Sequence, residues 1–313
     1  LTAPVSAATP RPGPLRTWVL AIRPRTLPAA IAPVCVGLGV TVGSGVPLRV
    51  DAAVGCFLVA LLLQVLANLV NDLADFRKGA DTPDRQGPLR VAAAGLISPR
   101  ALSVAIALVT LASGAAGLWL VTIGGPVLLV VGAAAILAAF LYTGGPLPYG
   151  YRGLGEVFVF LFFGLVAVVG TAYLQSGTML APLAWAAAIP VGALVTAIIV
   201  VNNLRDRPTD AAAGKRTLAV SFGDRFAQAE YIALLAVGFA FPVAIALLAV
   251  RPAALLALLA IALVPPLAGP MLAVGEGSDR RARHPVLGGT ARLALVASLL
   301  LAAGLALGRL GLG

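Results

Sequence analysis

The chain has 313 residues, of which 60% are hydrophobic and 11% are charged, and its mean hydropathy is +1.01. Because soluble domains usually carry about 25% charged residues, this composition excludes an ordinary soluble fold. The net charge of +10 comes from 22 basic and 12 acidic residues. It does not indicate nucleic-acid binding, since the basic residues are concentrated in a few segments between long apolar stretches, as in membrane proteins.

Nine apolar stretches follow one another along the chain, each near the roughly 20 residues that cross a bilayer as a helix. They span residues 24–43, 52–71, 101–122, 125–142, 154–174, 181–202, 228–250, 253–274 and 289–310. Residues 1–16 are rich in Pro, Ala and small polar residues, and they lack the apolar centre of a signal peptide. We therefore predict an all-α polytopic membrane protein, with a flexible tail at 1–16 and a transmembrane domain at 17–313 whose nine helices surround a central cavity.

The basic residues also predict an orientation. If the N-terminus is cytoplasmic, the loops after the even-numbered stretches lie on the same side and hold most of the Lys and Arg residues. Only Arg49, Arg251 and Arg309 then fall outside. By the positive-inside rule, we expect a multi-pass protein of the inner (plasma) membrane, surrounded by lipid, with its acidic loops in the cytoplasm.

Two acidic segments begin where apolar stretches end. The first is NLVNDLADFRKGAD (68–81) and the second is VVNNLRDRPTDAAAGKRTLA (200–219). If each helix continues, each segment places one Asn and two Asp on a single face, spaced three or four residues apart: Asn68, Asp72 and Asp75, and Asn202, Asp206 and Asp210. The two segments resemble a weak internal repeat.

Four carboxylates brought together repel one another unless a cation lies between them. Mg²⁺ suits this arrangement because it prefers oxygen ligands and is usually held by one or two carboxylates together with substrate phosphates. Basic residues flank both segments, and we expect them to contact the remaining phosphate oxygens: Arg77, Lys78, Arg205, Arg207, Lys215 and Arg216. With 2 Cys and 1 His in the chain, a zinc site is not expected. One such segment alone would more often be a solvated loop.

These segments resemble the two Asp-rich motifs of the UbiA superfamily of intramembrane prenyltransferases. The motifs read NDLAD (71–75) and NNLRDRPTDAAAGKRTL (202–218). Further similar stretches cover nearly the whole chain: AIRPRTLPAAIAPVCVG (21–37), LYTGGPLPYGYRGLGE (141–156) and HPVLGGTARL (284–293). Many members that use 4-hydroxybenzoate carry Tyr-x-x-x-Lys after the fourth span, whereas Tyr142 is not followed by this Lys. The chain is therefore most similar to the 1,4-dihydroxy-2-naphthoate polyprenyltransferases of menaquinone biosynthesis.

The resemblance implies Mg²⁺-dependent transfer of a polyprenyl chain from polyprenyl diphosphate to 1,4-dihydroxy-2-naphthoate, with loss of CO₂ and diphosphate, giving demethylmenaquinone. The implied catalytic and metal-binding residues are Asp72, Asp75, Asp206 and Asp210. The expected diphosphate-binding residues are Arg23, Lys78, Arg152, Lys215 and Arg216. The expected substrate-binding residues are Asn68, Asn71, Asn202, Tyr142, Tyr149 and Phe162. Glu156 is a candidate general base, although a structural hydrogen bond explains this residue equally well.

Three alternatives remain open from the sequence. The acceptor could be another ring, such as 4-hydroxybenzoate, homogentisate or a chlorophyllide-like molecule. A secondary transporter also uses intramembrane carboxylates and repeated halves, but its charges should lie at the bilayer centre on broken helices. A structural membrane scaffold gives no reason for two matching Asn and Asp faces.

Overall fold

The computed structural model describes residues 12–80, 89–178, 182–273 and 284–308. Its helices are α1 (Pro14–Ile22), α2 (Pro28–Gly43), α3 (Val50–Arg77), α4 (Pro99–Gly124), α5 (Val127–Leu141), α6 (Gly155–Ser176), α7 (Leu183–Ala212), α8 (Leu218–Phe222), α9 (Asp224–Leu248), α10 (Pro265–Leu272) and α11 (His284–Leu307). Short 3₁₀ helices are Pro24–Thr26 and Tyr149–Arg152, and a longer one is Pro252–Leu263. Within α6, residues Phe160–Val166 are π-helical. The part of the chain that the structure describes contains no strand, which confirms the all-α prediction.

The number of membrane spans differs from the predicted nine. Among the described residues, six helices are long and apolar enough to cross a membrane: α3, α4, α6, α7, α9 and most of α11. Two further spans exist only if bent pairs are counted, one bent by 49° between α1 and α2 and the other by 51° before α10. The fourth predicted stretch forms only the 15-residue helix α5. The polytopic membrane architecture is confirmed, and the count of nine is not.

The outer surface is apolar, as expected of a protein in lipid. Large aliphatic side chains such as Leu111 on α4 and Leu248 at the end of α9 are 70% and 86% exposed. Helix α1 begins at Pro14, and the division into a tail at 1–16 and a transmembrane domain at 17–313 stays a prediction. Residues 1–11 and the acidic residues Asp81 and Asp84 lie outside the described part of the chain.

Helix α7 lies at the centre of the fold and positions the second acidic segment. It packs against α2, α6, α9 and α11, and most of its residues from Ala187 to Asp206 are buried. Small residues allow this close approach. A Cβ added to Gly164 of α6 would lie 2.7 Å from the Cα of Gly192 on α7. A second buried cluster joins α1, α3, α4 and α5 around the first acidic segment.

Helices α2 and α11 cross through a pair of glycines spaced four residues apart, Gly39 and Gly43. A Cβ at either position would meet the α11 backbone, at Ala302 for Gly39 and at Leu305 for Gly43. This is the small-xxx-small packing that brings membrane helices into backbone contact. It fixes α2, which contributes one wall of the cavity described below.

We predict that Gly39→Ala lowers the thermal unfolding temperature of the detergent-solubilised protein. The added Cβ would lie 2.5 Å from the carbonyl oxygen of Ala302, and overpacking of this kind costs about 1–3 kcal/mol. The matched control is Gly114→Ala on α4, where no atom lies within 4 Å of the added Cβ. Because Ala favours helix over Gly, the control should unfold at an unchanged or higher temperature. Equal effects of the two substitutions would contradict the close helix crossing.

Candidate active site

A cavity of about 380 Å³ lies between α2, α3, α5, α6 and α7. Its polar end is formed where α3 and α7 end, and three of the four predicted aspartates line it: Asp75, Asp206 and Asp210. Its other end is apolar and reaches Cys56 and Leu128. Along α3, the distance from Asp75 to Cys56 is about 28 Å at 1.5 Å per residue. The cavity therefore runs through most of the thickness of a bilayer core, which is roughly 30 Å.

The two acidic segments meet through Lys215. The Nζ atom of Lys215 lies 3.3 Å from a carboxylate oxygen of Asp75 and 3.4 Å from Oδ1 of Asp210. Lys215 reaches this position because Gly214 adopts a positive φ of 74° after α7, a conformation that glycine adopts without steric cost. The backbone N–H of Lys215 then donates to the carbonyl of Asp210 at 2.9 Å. The tertiary structure thus brings the two segments face to face.

Asp75 is held by three side-chain donors from other segments of the chain. Its carboxylate accepts hydrogen bonds from the hydroxyl of Tyr151 at 2.8 Å and from Arg90 at 3.0 Å, in addition to Lys215. The ring of Tyr151 lies beneath two ammonium groups, Lys78 at 4.4 Å and Lys215 at 4.8 Å from its centre. Such cation–π contacts stabilise lysines close together. Sequence reasoning missed Tyr151 and Arg90, because neither shares a helix face with an acidic motif.

Asp72 has different surroundings. It is buried, and its carboxylate accepts from the backbone N–H groups of Val91 and Ala92 at 3.3 and 3.0 Å, with Arg23 at 3.5 Å. It is not among the residues that line the cavity. These bonds hold the segment that carries Arg90 to Asp75. The geometry is that of a positioning residue, and metal ligation by Asp72 remains a prediction.

Asp206 is paired with a fully buried arginine on its own helix. Arg205 donates through Nε and Nη2 to the two carboxylate oxygens of Asp206, both at 2.7 Å, and Nη2 also donates to Asn202 at 2.6 Å. Arg205 is 0% exposed. Such a bidentate pair fixes both carboxylate oxygens in one plane. Asn202, which lines the cavity, is held in place by the same arginine.

The five predicted diphosphate-binding residues divide into two groups. Lys215 and Arg23 line the polar end of the cavity. Lys78 lies next to it and donates to the carbonyl of Thr143 at 2.6 Å, and partial burial lowers its pKa from the ordinary lysine value. Arg152 and Arg216 are exposed and are not part of the cavity lining, and diphosphate binding by these two residues stays a prediction.

The first-motif asparagines make structural bonds at the cavity wall. Asn68 donates to the carbonyl of Ile22 at 2.8 Å and to Thr26 at 3.0 Å. These bonds support the bend between α1 and α2, where Arg23 has a φ of 57°. Asn71 accepts from the hydroxyl of Thr143 at 2.8 Å. Both asparagines line the cavity, so they combine a structural bond with a position at the site.

Aromatic side chains follow the carboxylates toward the apolar end. Tyr142 meets Tyr149 edge to face at 5.3 Å, Tyr149 stacks on Phe158 at 4.1 Å, and Phe158 lies 6.3 Å from Phe162. All four line the cavity. Burial raises the pKa of the Tyr149 phenol, and its hydroxyl donates to the carbonyl of Ala138 at 2.9 Å. The π-helical stretch of α6, a feature often found at functional sites, begins between Phe158 and Phe162.

The donor groups present fit Mg²⁺ only in combination with a ligand. Within the described residues, no group of three or more His, Cys, Asp and Glu side chains is arranged to hold a metal alone. Asp75 and Asp210, however, present oxygens on two sides of the Lys215 ammonium, so this end of the cavity already accommodates a cation between carboxylates. Mg²⁺ is commonly held by one or two carboxylates, substrate phosphates and water. The carboxylates of Asp75 and Asp210 would supply the protein part of such a ligand set.

We predict that Arg205→Leu lowers the free energy of unfolding by about 3–5 kcal/mol, since breaking a buried ion pair takes away the two charged donors that Arg205 supplies to Asp206. The matched control is Arg207→Leu, two residues along the same helix. Arg207 is 36% exposed and pairs with Asp224 at 2.6 Å, and exposed pairs contribute only about 0–1 kcal/mol. Denaturant or thermal unfolding of the two variants tests this difference. A smaller loss for Arg205→Leu than for Arg207→Leu would contradict the structural role of the buried pair.

Comparison with known proteins identifies relatives that cover most of the chain. The 1,4-dihydroxy-2-naphthoate octaprenyltransferase of Mycobacterium tuberculosis is 43% identical over 294 residues, covering 94% of this chain and 98% of that protein. The enzyme of the same name from Escherichia coli is 38% identical over 228 residues, covering 70% of this chain and 73% of that protein. Both alignments extend over most of the predicted transmembrane domain.

Two solved structures have the same fold. A UbiA homologue from Aeropyrum pernix superimposes with a TM-score of 0.63 at 19% identity, over 88% of this chain and 96% of that one. A UbiA homologue from Archaeoglobus fulgidus, bound to DMAPP and Mg²⁺, superimposes with a TM-score of 0.60 at 16% identity, over 92% and 99%. The sequence model of the UbiA prenyltransferase family matches residues 30–283. This chain therefore belongs to the UbiA prenyltransferase family.

Proposed function

We propose that this protein transfers a polyprenyl chain from polyprenyl diphosphate to 1,4-dihydroxy-2-naphthoate, with release of diphosphate and CO₂. The observation that carries the proposal is the meeting of Asp75, Asp210 and Lys215 at the polar end of a long apolar cavity. A molecule with a diphosphate head and a long hydrocarbon tail matches a cavity that has one polar end and one apolar end. The names of the relatives at 43% and 38% identity support the naphthoate acceptor.

The diphosphate head would lie at the polar end. Lys215 and Arg23 supply positive charge to its oxygens, and charge-assisted bonds of this kind are stronger than neutral ones. Asp75, Asp206 and Asp210 would hold Mg²⁺ together with the diphosphate. When bound, the metal neutralises the negative charge that develops on the departing diphosphate. The arginines paired with Asp75 and Asp206 keep those carboxylates in fixed directions.

The reaction begins with cleavage of the allylic C–O bond, whose electron pair leaves with the diphosphate. Water would capture the resulting allylic cation, so the reaction needs a water-poor site. The cavity supplies apolar walls, and Tyr142, Tyr149, Phe158 and Phe162 present aromatic rings along it. Aromatic faces stabilise a nearby cation by about 0.5–2 kcal/mol. No protein nucleophile is required.

The acceptor completes the reaction without a general base. Its ring carbon that bears the carboxylate forms a C–C bond to the first carbon of the prenyl chain. The bond from that ring carbon to the carboxylate then breaks, its electron pair restores the aromatic ring, and CO₂ leaves. No proton has to be removed from the ring carbon. The product is a prenylated 1,4-dihydroxynaphthalene, the reduced form of demethylmenaquinone.

The membrane orientation is part of the proposal. Asp75 and Asp210 lie within one turn of the ends of α3 and α7 rather than at mid-span, which argues against a transporter site at the bilayer centre. The distribution of Lys and Arg supports a cytoplasmic position for these helix ends. We therefore propose a plasma-membrane enzyme whose polar site faces the cytoplasm and whose cavity extends into the lipid layer.

We predict that Asp210→Asn reduces the rate of Mg²⁺-dependent prenyl transfer by about 10- to 100-fold. This is the range seen when groups that support a bound metal are altered. The substitution keeps the shape of the side chain but removes its charge. Initial rates at several Mg²⁺ concentrations in isolated membranes would measure the effect. The control is Asp224→Asn, whose carboxylate pairs with Arg207 outside the cavity. Full activity of Asp210→Asn would contradict a metal-binding role for this residue.

The acceptor assignment has its own test. Membranes that contain the protein would be incubated with Mg²⁺, a polyprenyl diphosphate and one of three acceptors: carboxyl-labelled 1,4-dihydroxy-2-naphthoate, 4-hydroxybenzoate or homogentisate. We expect prenylation of the naphthoate with one labelled CO₂ released for each product formed. Membranes without the protein provide the background. Exclusive reaction of either benzene-ring acceptor would overturn the proposed acceptor while leaving the prenyl transfer itself intact.

A further inference from the structure

A buried hydrogen bond joins α6 and α7 beside the cavity. The side-chain amide of Asn203 donates to Oε1 of Glu156 at 2.7 Å. Both residues are 5% exposed, and the second carboxylate oxygen of Glu156, Oε2, has no hydrogen-bond partner within the described residues. Burying a polar oxygen without a partner costs free energy. A packed apolar pair would avoid this cost, so the carboxylate is not explained by stability.

The contact fixes the orientation of the Asn203 amide. A carboxylate oxygen can accept but not donate, whereas an amide has a donor side and an acceptor side. With its NH₂ group turned toward Glu156, Asn203 must turn Oδ1 the other way. Asn203 lines the cavity whereas Glu156 does not, and within the described residues the side chain of Asn203 makes no hydrogen bond other than the one to Glu156. Glu156 thereby holds a hydrogen-bond acceptor at the cavity wall.

This acceptor lies close to the reacting end. On α7, Asn203 is one turn before Asp206 and two turns before Asp210, so all three project from the same side of the helix. Across the cavity wall, Glu156 begins the helix that carries Phe158, on which Tyr149 stacks. A flat ring placed here would meet aromatic faces and, at its edge, the amide oxygen. The surroundings suit an aromatic molecule with a hydroxyl group.

We propose that Oδ1 of Asn203 accepts a hydrogen bond from a ring hydroxyl of the aromatic acceptor, and that Glu156 is the positioning residue that keeps this oxygen turned toward the ring. The inference rests on the proposed function and deepens it. Of the two substrates, only the dihydroxynaphthoate has hydroxyl donors, since a fully ionised diphosphate and a hydrocarbon chain have none. The pair therefore recognises the acceptor and not the prenyl donor.

The test uses the full-length protein with four variants. Asn203→Leu removes the amide oxygen, and Glu156→Gln allows the amide of Asn203 to turn over. Asn203→Asp places two carboxylates side by side, whereas the double variant E156Q/N203D restores one hydrogen bond with reversed polarity and keeps an acceptor oxygen at the wall. KM for each substrate is measured, together with equilibrium binding of 1,4-dihydroxy-2-naphthoate and of two analogues that each lack one ring hydroxyl.

We expect Asn203→Leu to raise the KM for the naphthoate by roughly two- to tenfold, the effect of one hydrogen bond, and to leave the KM for polyprenyl diphosphate unchanged. The wild type should prefer the dihydroxy compound over one monohydroxy analogue, and Asn203→Leu should lose that preference. Glu156→Gln should weaken the preference for the dihydroxy compound. Asn203→Asp should also weaken this preference, whereas the double variant E156Q/N203D should recover it. The control is Gln228→Leu, which removes a buried amide bonded to the carbonyl of Met271 outside the cavity.

Two outcomes would overturn the inference while leaving the proposed function intact. If Asn203→Leu keeps the wild-type preference for the dihydroxy compound, the amide oxygen does not meet a hydroxyl. If the KM values of both substrates rise together, and the double variant shows no recovery, the pair only supports the fold. A wild-type protein that neither binds nor prenylates the naphthoate would instead reject the proposed function, and the inference with it. Whether the wild type binds and converts the naphthoate therefore distinguishes failure of this inference from failure of the proposed function.

Discussion

Buried charges of both signs at one end of an apolar cavity constrain the rest of this structure. Asp75 has a side chain only 1% exposed, and Lys215, at 12%, is shared between it and Asp210. Charges buried to this degree are costly unless each has a partner. Three segments around the polar end each contribute a donor to Asp75: Arg90 before α4, Tyr151 before α6, and Lys215 after α7. The ends of α3 and α7 must therefore lie where these partner residues come together.

Helix α7 shows how one element serves both packing and chemistry. Its first two-thirds are apolar and rich in Ala and Val, and most of these residues belong to the main buried cluster of the protein. Its last turns carry Asn202, Asn203, Asp206 and Asp210 toward the cavity. The buried Arg205 neutralises Asp206 from the same helix, so the helix brings its own counter-charge. Close packing of the apolar part holds the polar part rigid, which pre-organised catalytic groups require.

The cavity combines two environments that a long-chain diphosphate needs at once. The polar end concentrates charge, and the aromatic and aliphatic walls exclude water from the carbon atoms that react. Transferring a long hydrocarbon tail through water would cost about 25 cal/mol per Å² of exposed apolar surface. A cavity that runs along α3 for most of the bilayer thickness keeps that surface in an apolar medium. Asn203, the residue proposed to bind the ring hydroxyl, lies between the charged end and the apolar walls.

The sequence by itself determined the all-α membrane fold, the approximate helix positions and the two Asn and Asp faces. Hydropathy and the 3.6-residue period contain this information, because both depend only on neighbours along the chain.

Only the tertiary structure decided what each face meets. Asp72 faces the backbone of Val91 and Ala92, Asn68 supports the α1–α2 bend, and Arg152 and Arg216 point away from the cavity. Tyr151 and Lys215 reach Asp75 from 76 and 140 residues away. A periodic pattern shows which side chains share a helix face, but contacts over such separations depend on how helices pack and turn, and no local pattern contains that information.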